Sequence, residues 1–415
     1  MVNAMTSRSI PLPIARFPKW PTLLLLSVAE LLAMGVWFSA TAVVPALTTA
    51  WQLSESGRAW LTMSVQIGFV VGAFGSALMN LADRVPAPRL ATLAALCAAL
   101  STALIPLLAA GLESALLLRF LTGVFLAGVY PVGMKIMATW TREDRGLGIG
   151  LLVGALTIGS AGPHLLGALG GVGDWRRVLY LAAGLAAVGA LIAAAFVSEG
   201  PHRTPSPRFD WKYVGEIARD RDIVLANLGY LGHMWELYAM WAWLPLFLRE
   251  SLTASGVAGA WPNLAAFAVI AVGGLGSLAA GKLADRLGRT RVTMASMAIS
   301  GACSLLVGFF YGSRPAALLA IGLLWGFSVV ADSAQFSAAV SELCRAEYTG
   351  TALTLQTGLG FLLTLVSIRL LPILQVSFGW RWAFGFLALG PLVGVWAMNA
   401  LRRSPAAARL AGGKG

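Results

Sequence analysis

The chain carries the stretch GKLADRLGRTR at residues 281–291, between two apolar runs that are each long enough to cross a lipid bilayer. Gly281 allows two helix backbones to approach closely, because it has no side chain. Asp285 can cap a helix end, and Gly288 can reverse the chain direction. A weaker copy, Asp83-Arg84, lies 202 residues earlier. The stretch therefore predicts a basic loop between two membrane helices, and its copy indicates a duplicated unit.

The composition is typical of a membrane protein. Of the 415 residues, 58% are hydrophobic and only 12% are charged, and the mean hydropathy is +0.77. A soluble domain has about 25% charged residues. The three cysteines, Cys97, Cys303 and Cys344, have neither disulfide nor metal-ligand spacing. We therefore expect an integral membrane protein with no metal site and no cofactor.

Apolar segments recur along the whole sequence. A membrane-spanning helix needs about 20 apolar residues. The first such run is too long for the apolar region of a signal peptide, so we expect it to stay as a span. The twelve predicted spans are 21–47, 59–82, 88–110, 114–139, 147–171, 176–198, 223–248, 257–281, 291–312, 315–340, 350–374 and 381–401. The predicted fold class is an all-α integral membrane protein with twelve transmembrane helices.

Basic residues are distributed according to this topology. Twelve spans put both termini on one side, whose loops and tails hold 21 Lys and Arg against 6 on the other side. Positive charge accumulates on the cytoplasmic side of membrane proteins. The net charge of +12 is thus explained by the lipid bilayer, without a nucleic-acid partner. We expect a monomeric, multi-pass protein of the cytoplasmic (inner) membrane of a bacterium, with both termini in the cytoplasm.

The two halves of the chain repeat each other. Asp83 matches Asp285 at a separation of 202 residues, and Trp175 matches Trp380 at a separation of 205. A near-constant offset is what a duplicated six-helix unit produces, so we expect two pseudo-symmetric bundles. The predicted organisation is a cytoplasmic tail 1–20, a first six-helix bundle 21–198, a cytoplasmic linker 199–222, a second six-helix bundle 223–401 and a cytoplasmic tail 402–415.

These motifs resemble those of a known transporter family. Residues 281–291 fill every position of the loop signature G-x-L-A-D-R-x-G-R-x-R of the major facilitator superfamily. The segment Arg119–Gly123 resembles the fourth-span motif whose arginine is associated with proton coupling, and Gly162-Pro163 resembles part of the fifth-span antiporter motif. The chain resembles most the nitrate/nitrite- and cyanate-porter-like branch, although it lacks the Gly-Asn-rich nitrate signature in the fifth span.

The resemblance implies a cavity and a gate. In this superfamily spans 1, 4, 7 and 10 line a central cavity that opens alternately to the two sides of the membrane. Spans 2, 5, 8 and 11 join the halves, and spans 3, 6, 9 and 12 face lipid. In family terms, Asp285 should hold span 8 against span 11 on the cytoplasmic side. The expected gating residues are Asp83, Arg84, Gly281, Asp285, Arg286, Gly288 and Arg289.

Few ionisable side chains lie inside the predicted spans. Each costs at least ~2.5 kcal/mol at the membrane centre, so most should face the cavity or a partner. Four of them lie at similar depths on cavity-lining spans and are suited to bind protons. We rank Glu236 first, because it lies nearest the membrane centre and shares a helix face with His233. The predicted proton-coupling residues are Glu236, His233, Glu30 and Asp332.

A basic group lies nearer the outer side of the membrane. It consists of Arg119, Arg369 and His164, and it favours an anionic solute. Three alternatives need no substrate. Arg119 can join helices through backbone carbonyls, Arg369 can reach the lipid headgroups, and Glu30 can form a structural ion pair with Lys135.

Aromatic residues are concentrated in span 7. Trp235 and Tyr238 lie too deep for an interfacial aromatic belt, and they share the region of Glu236. Trp37 lies on the same face of span 1 as Glu30, seven residues away. We expect these side chains to form a cavity wall. The predicted substrate-binding residues are Arg119, Trp37, Tyr130, Trp235, Tyr238 and Gln335.

The function that these features favour is secondary active transport of a small solute, best matched by a small anion, through alternating access coupled to protons. The alternative is a proton-driven efflux antiporter for drugs or metabolites, which Gly162-Pro163 and the aromatic span 7 favour. A membrane enzyme is disfavoured, because the sequence holds no metal cluster, nucleophile elbow or phosphate loop. A substrate-sensing receptor is disfavoured by the short tails.

Overall fold

A computed structural model describes residues 17–141, 145–169, 174–202, 209–345 and 348–415. Within these ranges the chain forms α-helices and short 3-10 helices, with no strand. The α-helices are α1 Lys19–Met34, α2 Ser39–Ala42, α3 Val44–Trp51, α4 Glu55–Met79, α5 Leu81–Arg84, α6 Ala87–Leu108, α7 Leu112–Leu126, α8 Tyr130–Trp140, α9 Arg145–Leu169, α10 Trp175–Phe196, α11 Val214–Arg219, α12 Arg221–Ala254, α13 Trp261–Leu287, α14 Arg289–Leu306, α15 Pro315–Ala331, α16 Ser333–Leu343, α17 Thr349–Phe378, α18 Trp380–Ala383 and α19 Leu389–Arg402. The prediction of an all-α membrane protein is confirmed.

Ten helical segments in the described part of the chain are long and apolar enough to cross a membrane. Spans 1 and 7 are the two predicted spans outside this set. Helix α1 has only 16 residues, because span 1 is interrupted after Met34. Helix α12 has 34 residues, but His233, Glu236 and several aromatic residues lower its hydropathy. The count of twelve therefore remains a prediction. In that numbering the spans are α1–α3, α4, α6, α7–α8, α9, α10, α12, α13, α14, α15–α16, α17 and α18–α19.

The helix neighbours correspond between the two halves. In the first half, span 1 packs against spans 5 and 6, span 6 against span 3, span 3 against span 4, and span 4 against span 2. In the second half, span 7 packs against spans 11 and 12, span 12 against span 9, span 9 against span 10, and span 10 against span 8. Each pair has its counterpart six spans later, as a duplicated unit requires. The boundaries of the two bundles remain a prediction.

The halves meet where span 2 packs against span 11 and where span 5 packs against span 8. Glycine brings the backbones of spans 5 and 8 together. A Cβ built on Gly154 would lie 3.1 Å from the carbonyl oxygen of Gly274. The Ser277 hydroxyl donates a hydrogen bond of 3.3 Å to the carbonyl of Gly150. Gly150 and Gly154 thus allow a close contact between spans 5 and 8, which joins the two halves.

Three cavity-lining spans are interrupted at the level where the halves face each other. Span 1 breaks at residues 35–38, span 4 at residues 127–129, and span 10 at Asp332. Span 4 resumes at Tyr130-Pro131, and a proline is tolerated in the first turn of a helix because its missing N–H has no helical partner there. Each interruption frees backbone groups that nearby side chains can bond. These breaks position the polar side chains described below.

Candidate functional site

An aromatic layer closes the space between the two halves. The ring of Trp37 in span 1 lies 5.9 Å from that of Tyr238 in span 7 and 5.5 Å from that of Phe361 in span 11. Phe38 lies 5.7 Å from Trp241, also in span 7. Such centroid distances are those of stabilising aromatic pairs. The layer therefore contains side chains of both halves and must part before a solute can pass.

A cavity of about 60 Å³ lies directly on one side of this layer. Five of its lining residues are aromatic, seven hydroxyl groups face it, three of them on tyrosines, and it contains no Arg, Lys, Asp or Glu. The lining residues are Tyr130, Val153, Leu156, Thr157, Tyr230, Met234, Leu237, Tyr238, Trp241, Val330, Ser333, Ser337, Thr357 and Phe361. Spans 4, 5, 7, 10 and 11 all contribute, so the cavity belongs to both halves.

A second, smaller cavity of about 30 Å³ lies on the other side of the aromatic layer. Along α12 its wall runs from Ala242 to Arg249, beyond the stretch that lines the first cavity. Its cations are Arg58 and Arg249. Arg58 is paired with Glu55 at 3.0 Å, whereas Arg249 has no acidic partner among the described residues. We call this the vestibule. The sequence analysis selected neither arginine for the site.

Two of the predicted substrate contacts, Tyr130 and Tyr238, line the first cavity, and Trp37 belongs to the aromatic layer. Trp235 does not reach the cavity. Its indole packs against Phe386 with a centroid distance of 5.4 Å, so it faces span 12. Helix rotation explains this placement, because at 100° per residue Trp235 points about 130° away from the centre of the cavity face of α12, whereas Tyr238 lies at the edge of that face.

Gln335 is also placed away from the cavity. Its side-chain carbonyl accepts a hydrogen bond of 2.8 Å from Arg289, and Arg289 makes a two-pronged ion pair with Glu342 at 2.8 and 2.6 Å. In this conformation Gln335 makes a structural contact between spans 9 and 10. Substrate binding by Gln335 remains a prediction that this arrangement does not favour.

Arg119 is buried and bonded to the backbone. Its guanidinium donates to the carbonyl of Trp37, to the carbonyl of Val36 at 2.7 Å and to the carbonyl of Leu61 at 3.3 Å. It therefore joins span 4 to the broken end of α1 and to span 2. Carbonyls at the end of a helix have no helical partner and carry partial negative charge, which favours a cation there. Substrate binding by Arg119 remains a prediction that this arrangement does not favour.

Glu236 faces the inside of the second half. One carboxylate oxygen accepts from the hydroxyl of Ser300 at 2.8 Å, and the other accepts from the indole N–H of Trp325 at 2.8 Å. These partners belong to spans 9 and 10. The side chain is 1% exposed and does not line the cavity. In this conformation Glu236 therefore faces partners and not the cavity, and its proton-coupling role remains a prediction.

The other three polar residues lie at the helix breaks. His233 pairs with Asp332 at the break of span 10, with 2.8 Å between Nδ1 and Oδ1, and both are buried. Glu30 lies against the break of span 4, where a Cβ built on Gly133 would be 2.7 Å from its Oε2. Neither carboxylate oxygen of Glu30 has a hydrogen-bond partner among the described residues. Tyr130, which lines the cavity, is near enough to Glu30 for the two groups to interact electrostatically.

The loop signature lies on the linker face, which we define as the face formed by residues 199–202, 209–222 and 402–415. The Asp285 carboxylate lies against Gly146 at the start of α9, where a built Cβ would be 2.8 Å from Oδ1. Asp285 is thus placed against span 5, not against span 11 as the resemblance implied. Span 8 packs against span 5 over most of its length, which leaves span 11 out of reach. The side chain of Asp83 lies outside the described residues.

Two further contacts between the halves, both between spans 2 and 11, were missed by sequence reasoning. On the linker side of the cavity, Phe74 of span 2 fills the space beside Gly358 of span 11. On the vestibule side, the hydroxyl of Thr364 donates to Gln66 across the halves at 3.3 Å. Phe361 of the aromatic layer was also missed. Its position directly after a glycine, where a neighbouring ring can approach closely, is the signal that marks it in the sequence.

The sequence has relatives among known transporters. It is 28% identical over 212 residues to NiaP of Bacillus subtilis (strain 168), described as a candidate niacin/nicotinamide transporter; the match covers 49% of this chain and 52% of NiaP. It is 26% identical over 321 residues to a candidate 4-methylmuconolactone transporter of Cupriavidus pinatubonensis (strain JMP 134 / LMG 1197), covering 72% of this chain and 71% of that protein. The match to NiaP thus spans about half the length of that relative.

The fold also has solved counterparts. The crystal structure of a mutant of the nucleoside transporter NupG superposes with a TM-score of 0.69 at 14% identity, covering 92% of this chain and 99% of that chain. The sequence profile of the Major Facilitator Superfamily matches residues 26–272 and 226–415. Its members found here are transporters and not enzymes. Since the profile covers nearly the whole chain, the protein belongs to the major facilitator superfamily.

Proposed function

We propose that the protein is a secondary active transporter that moves a small, planar, ring-bearing solute by alternating access. The observation that carries the proposal is the aromatic cavity of about 60 Å³ between the halves, with hydroxyl groups among its rings. Aromatic side chains bind a planar ring by stacking, and hydroxyl groups can donate or accept hydrogen bonds at its edge. The cavity is small, so the aromatic layer that contains Trp37 and Phe361 must move for the cavity to hold a solute.

The names of the relatives agree with this solute class. Niacin, nicotinamide and 4-methylmuconolactone are small ring compounds, and the candidate transporters of these compounds share 26–28% identity with this chain. A ring-bearing monocarboxylate also satisfies the small-anion prediction. Arg249 in the vestibule supplies a cation without an acidic partner among the described residues, which supports attraction of such an anion. The uncharged wall of the inner cavity supports its passage in neutralised form. The resemblance to the nitrate branch remains a prediction.

We further propose that transport is coupled to protons and that Glu30 carries the proton. A carboxyl group shielded from water binds a proton more readily than one in water. Glu236 has both oxygens engaged, and Asp332 is paired with His233, whereas Glu30 has no partner in the described part of the chain. Glu30 also lies against Gly133, one helix turn after Tyr130, which lines the cavity. His233, Glu236 and Asp332 are the second choice for this role.

The test is uptake by proteoliposomes under an imposed pH gradient. We expect saturable accumulation of nicotinate, nicotinamide or a muconolactone carboxylate, and no accumulation of nitrate. Tyr238→Ala should raise KM roughly tenfold, because it removes a stacking surface. Tyr180→Ala is the matched control, since Tyr180 is 41% exposed on the surface of span 6. Nitrate uptake with no response to any ring compound would overturn the proposal.

Efflux is the second candidate function. Gly162-Pro163 lies within α9, as the antiporter motif requires, and the cavity wall is largely apolar. Efflux predicts that an acidic interior, rather than an acidic exterior, drives solute accumulation in inside-out vesicles. We place the protein in the inner membrane of a bacterium, as a monomer with the linker face in the cytoplasm. This orientation fixes the sign of the pH gradient that the vesicle assay must use.

A further inference from the structure

A further cavity lies outside the transport site, on the linker face. It has a volume of about 400 Å³ and lies between the end of α19 and the start of α12. Its lining residues are Arg221, Trp396, Asn399, Ala400, Arg403, Ser404 and Pro405. The apolar part of span 12 ends at Arg402, so the cavity lies where that span leaves the membrane.

The charge in this cavity is positive. Arg221 and Arg403 form no ion pair or hydrogen bond through their guanidinium groups with any described residue. The nearest acids in sequence are Asp220 and Asp222, and neither lines the cavity. Asp220 caps α12 by accepting from the backbone N–H groups of Asp222 and Ile223. Two cations and the amide of Asn399 are thus left to bind an anion.

An apolar stripe on the same helix leads into the cavity. The exposed fractions are 57% for Leu389, 65% for Leu392, 46% for Val393 and 60% for Trp396. These positions recur at intervals of three and four residues and therefore form one face of α19. Further along, the same face carries Asn399, Ala400 and Arg403, which line the cavity. One helix face thus changes from apolar to cationic over its length.

We infer that this cavity is a binding site for the headgroup of an anionic phospholipid. The phosphate would be bound by Arg221 and Arg403, and the acyl chains would cover the stripe from Leu389 to Trp396. Guanidinium groups bind phosphate oxygens with paired N–H donors, and basic pockets at the cytoplasmic ends of membrane helices select anionic headgroups. The stripe favours a lipid over soluble phosphate, because soluble phosphate has no use for an apolar surface. This site does not depend on the proposed substrate.

Native mass spectrometry of the purified, full-length protein tests the inference. Phosphatidylglycerol is titrated against phosphatidylcholine, and the affinity of the most tightly bound lipid is measured. The double variant Arg221→Gln/Arg403→Gln should bind phosphatidylglycerol about 30-fold more weakly, since each arginine near the membrane surface contributes roughly fivefold. The double variant Arg219→Gln/Arg402→Gln removes the same charge from exposed positions outside the cavity and should change the affinity less than threefold.

Two further measurements separate the sources of phosphate and guard against misfolding. Millimolar inorganic phosphate should not displace the bound phosphatidylglycerol. Trp396→Ala keeps both arginines and should weaken the lipid without changing any binding of inorganic phosphate. Equal loss in the two double variants would show a general surface-charge effect, and full displacement by phosphate would show a soluble-anion site. Either result overturns the inference. If the first double variant does not fold, Arg403→Gln alone should still show the roughly fivefold loss.

Discussion

The two halves differ most at a pair of positions that the internal repeat makes equivalent, Glu30 and His233, which are 203 residues apart. Both face the break in the fourth helix of their own half. In the second half the polar group is paired, because Nδ1 of His233 lies 2.8 Å from Oδ1 of Asp332. In the first half the carboxylate of Glu30 has no partner among the described residues. An unpartnered buried carboxylate is costly when charged and is therefore suited to take up a proton.

The first helix of each half shows a second difference. Span 1 breaks at residues 35–38, whereas α12 continues without interruption through the equivalent residues 238–241. Arg119 binds the carbonyls that the break in span 1 exposes. Its equivalent, 203 residues later, is Gly322. An unbroken helix has no free carbonyls at this level, which explains why the second half needs no arginine there. Arg119 thus serves the break in span 1, and proton coupling through Glu30 remains our proposal.

The largest expected effect is on stability, from Arg119→Ala. This change leaves the carbonyls of Val36, Trp37 and Leu61 without their donor, and we expect a loss of about 3 kcal/mol or more. The measurement is the thermal melting midpoint in detergent. Arg369→Ala is the control, because Arg369 lies in a span but binds no described residue. If Arg119→Ala melts like this control but no longer binds an anionic solute, the result would support the substrate role of Arg119.

The second effect concerns coupling. Glu30→Gln should abolish accumulation driven by a pH gradient and leave counterflow exchange intact, because exchange needs substrate binding and alternating access but no net proton transfer. Glu236→Gln should keep accumulation and lose stability by roughly 1–3 kcal/mol, since an amide cannot accept from both Ser300 and Trp325. Both variants are measured in the same proteoliposome assays. The opposite pattern, with coupling lost only in Glu236→Gln, would mean that the coupling proton binds in the second half.

The sequence predicted the family and the repeat, whereas the depth of these residues remains a prediction and their orientation was not predicted. On α12 the cavity face is marked by Tyr230, Met234, Leu237 and Trp241. At 100° per residue, Glu236 points about 130° away from that face. Hydropathy gives the depth of a residue in the membrane, whereas the rotation of its helix depends on packing against neighbours that are distant in sequence. The same reason explains why the carbonyl partners of Arg119 could not be assigned from sequence.

The third effect compares the two copies of the loop motif. Asp285→Asn should weaken the contact with Gly146 and open the interface of spans 5 and 8 on the linker face. A change of about 1 kcal/mol would shift the population roughly fivefold. Ser277→Cys in a cysteine-free background reports this opening through its rate of thiol labelling, because Ser277 is 1% exposed in the closed interface. Asp83→Asn, in the eroded copy, should change the labelling rate less. Equal labelling rates in the Ser277→Cys protein and in its Asp285→Asn and Asp83→Asn variants would disprove the gating role of Asp285.

The smallest effect compares two cavity tyrosines, one from each half. The hydroxyl of Tyr230 is in hydrogen-bonding contact with Thr357, whereas the hydroxyl of Tyr130 has no hydrogen-bond partner in the described part of the chain. Tyr130 is therefore free to bond the solute from its position beside Glu30.

Tyr130→Phe should raise the counterflow KM of the solute roughly fivefold, the value of one hydrogen bond, while the ring continues to stack. Tyr230→Phe should change KM less than twofold, because the hydroxyl that it removes already has a protein partner. Thermal melting of both variants checks that the fold is kept. The order of the two KM values decides which tyrosine hydroxyl bonds to the solute. A larger increase for Tyr230→Phe would mean that the second half supplies the polar contact and that Tyr130 only stacks.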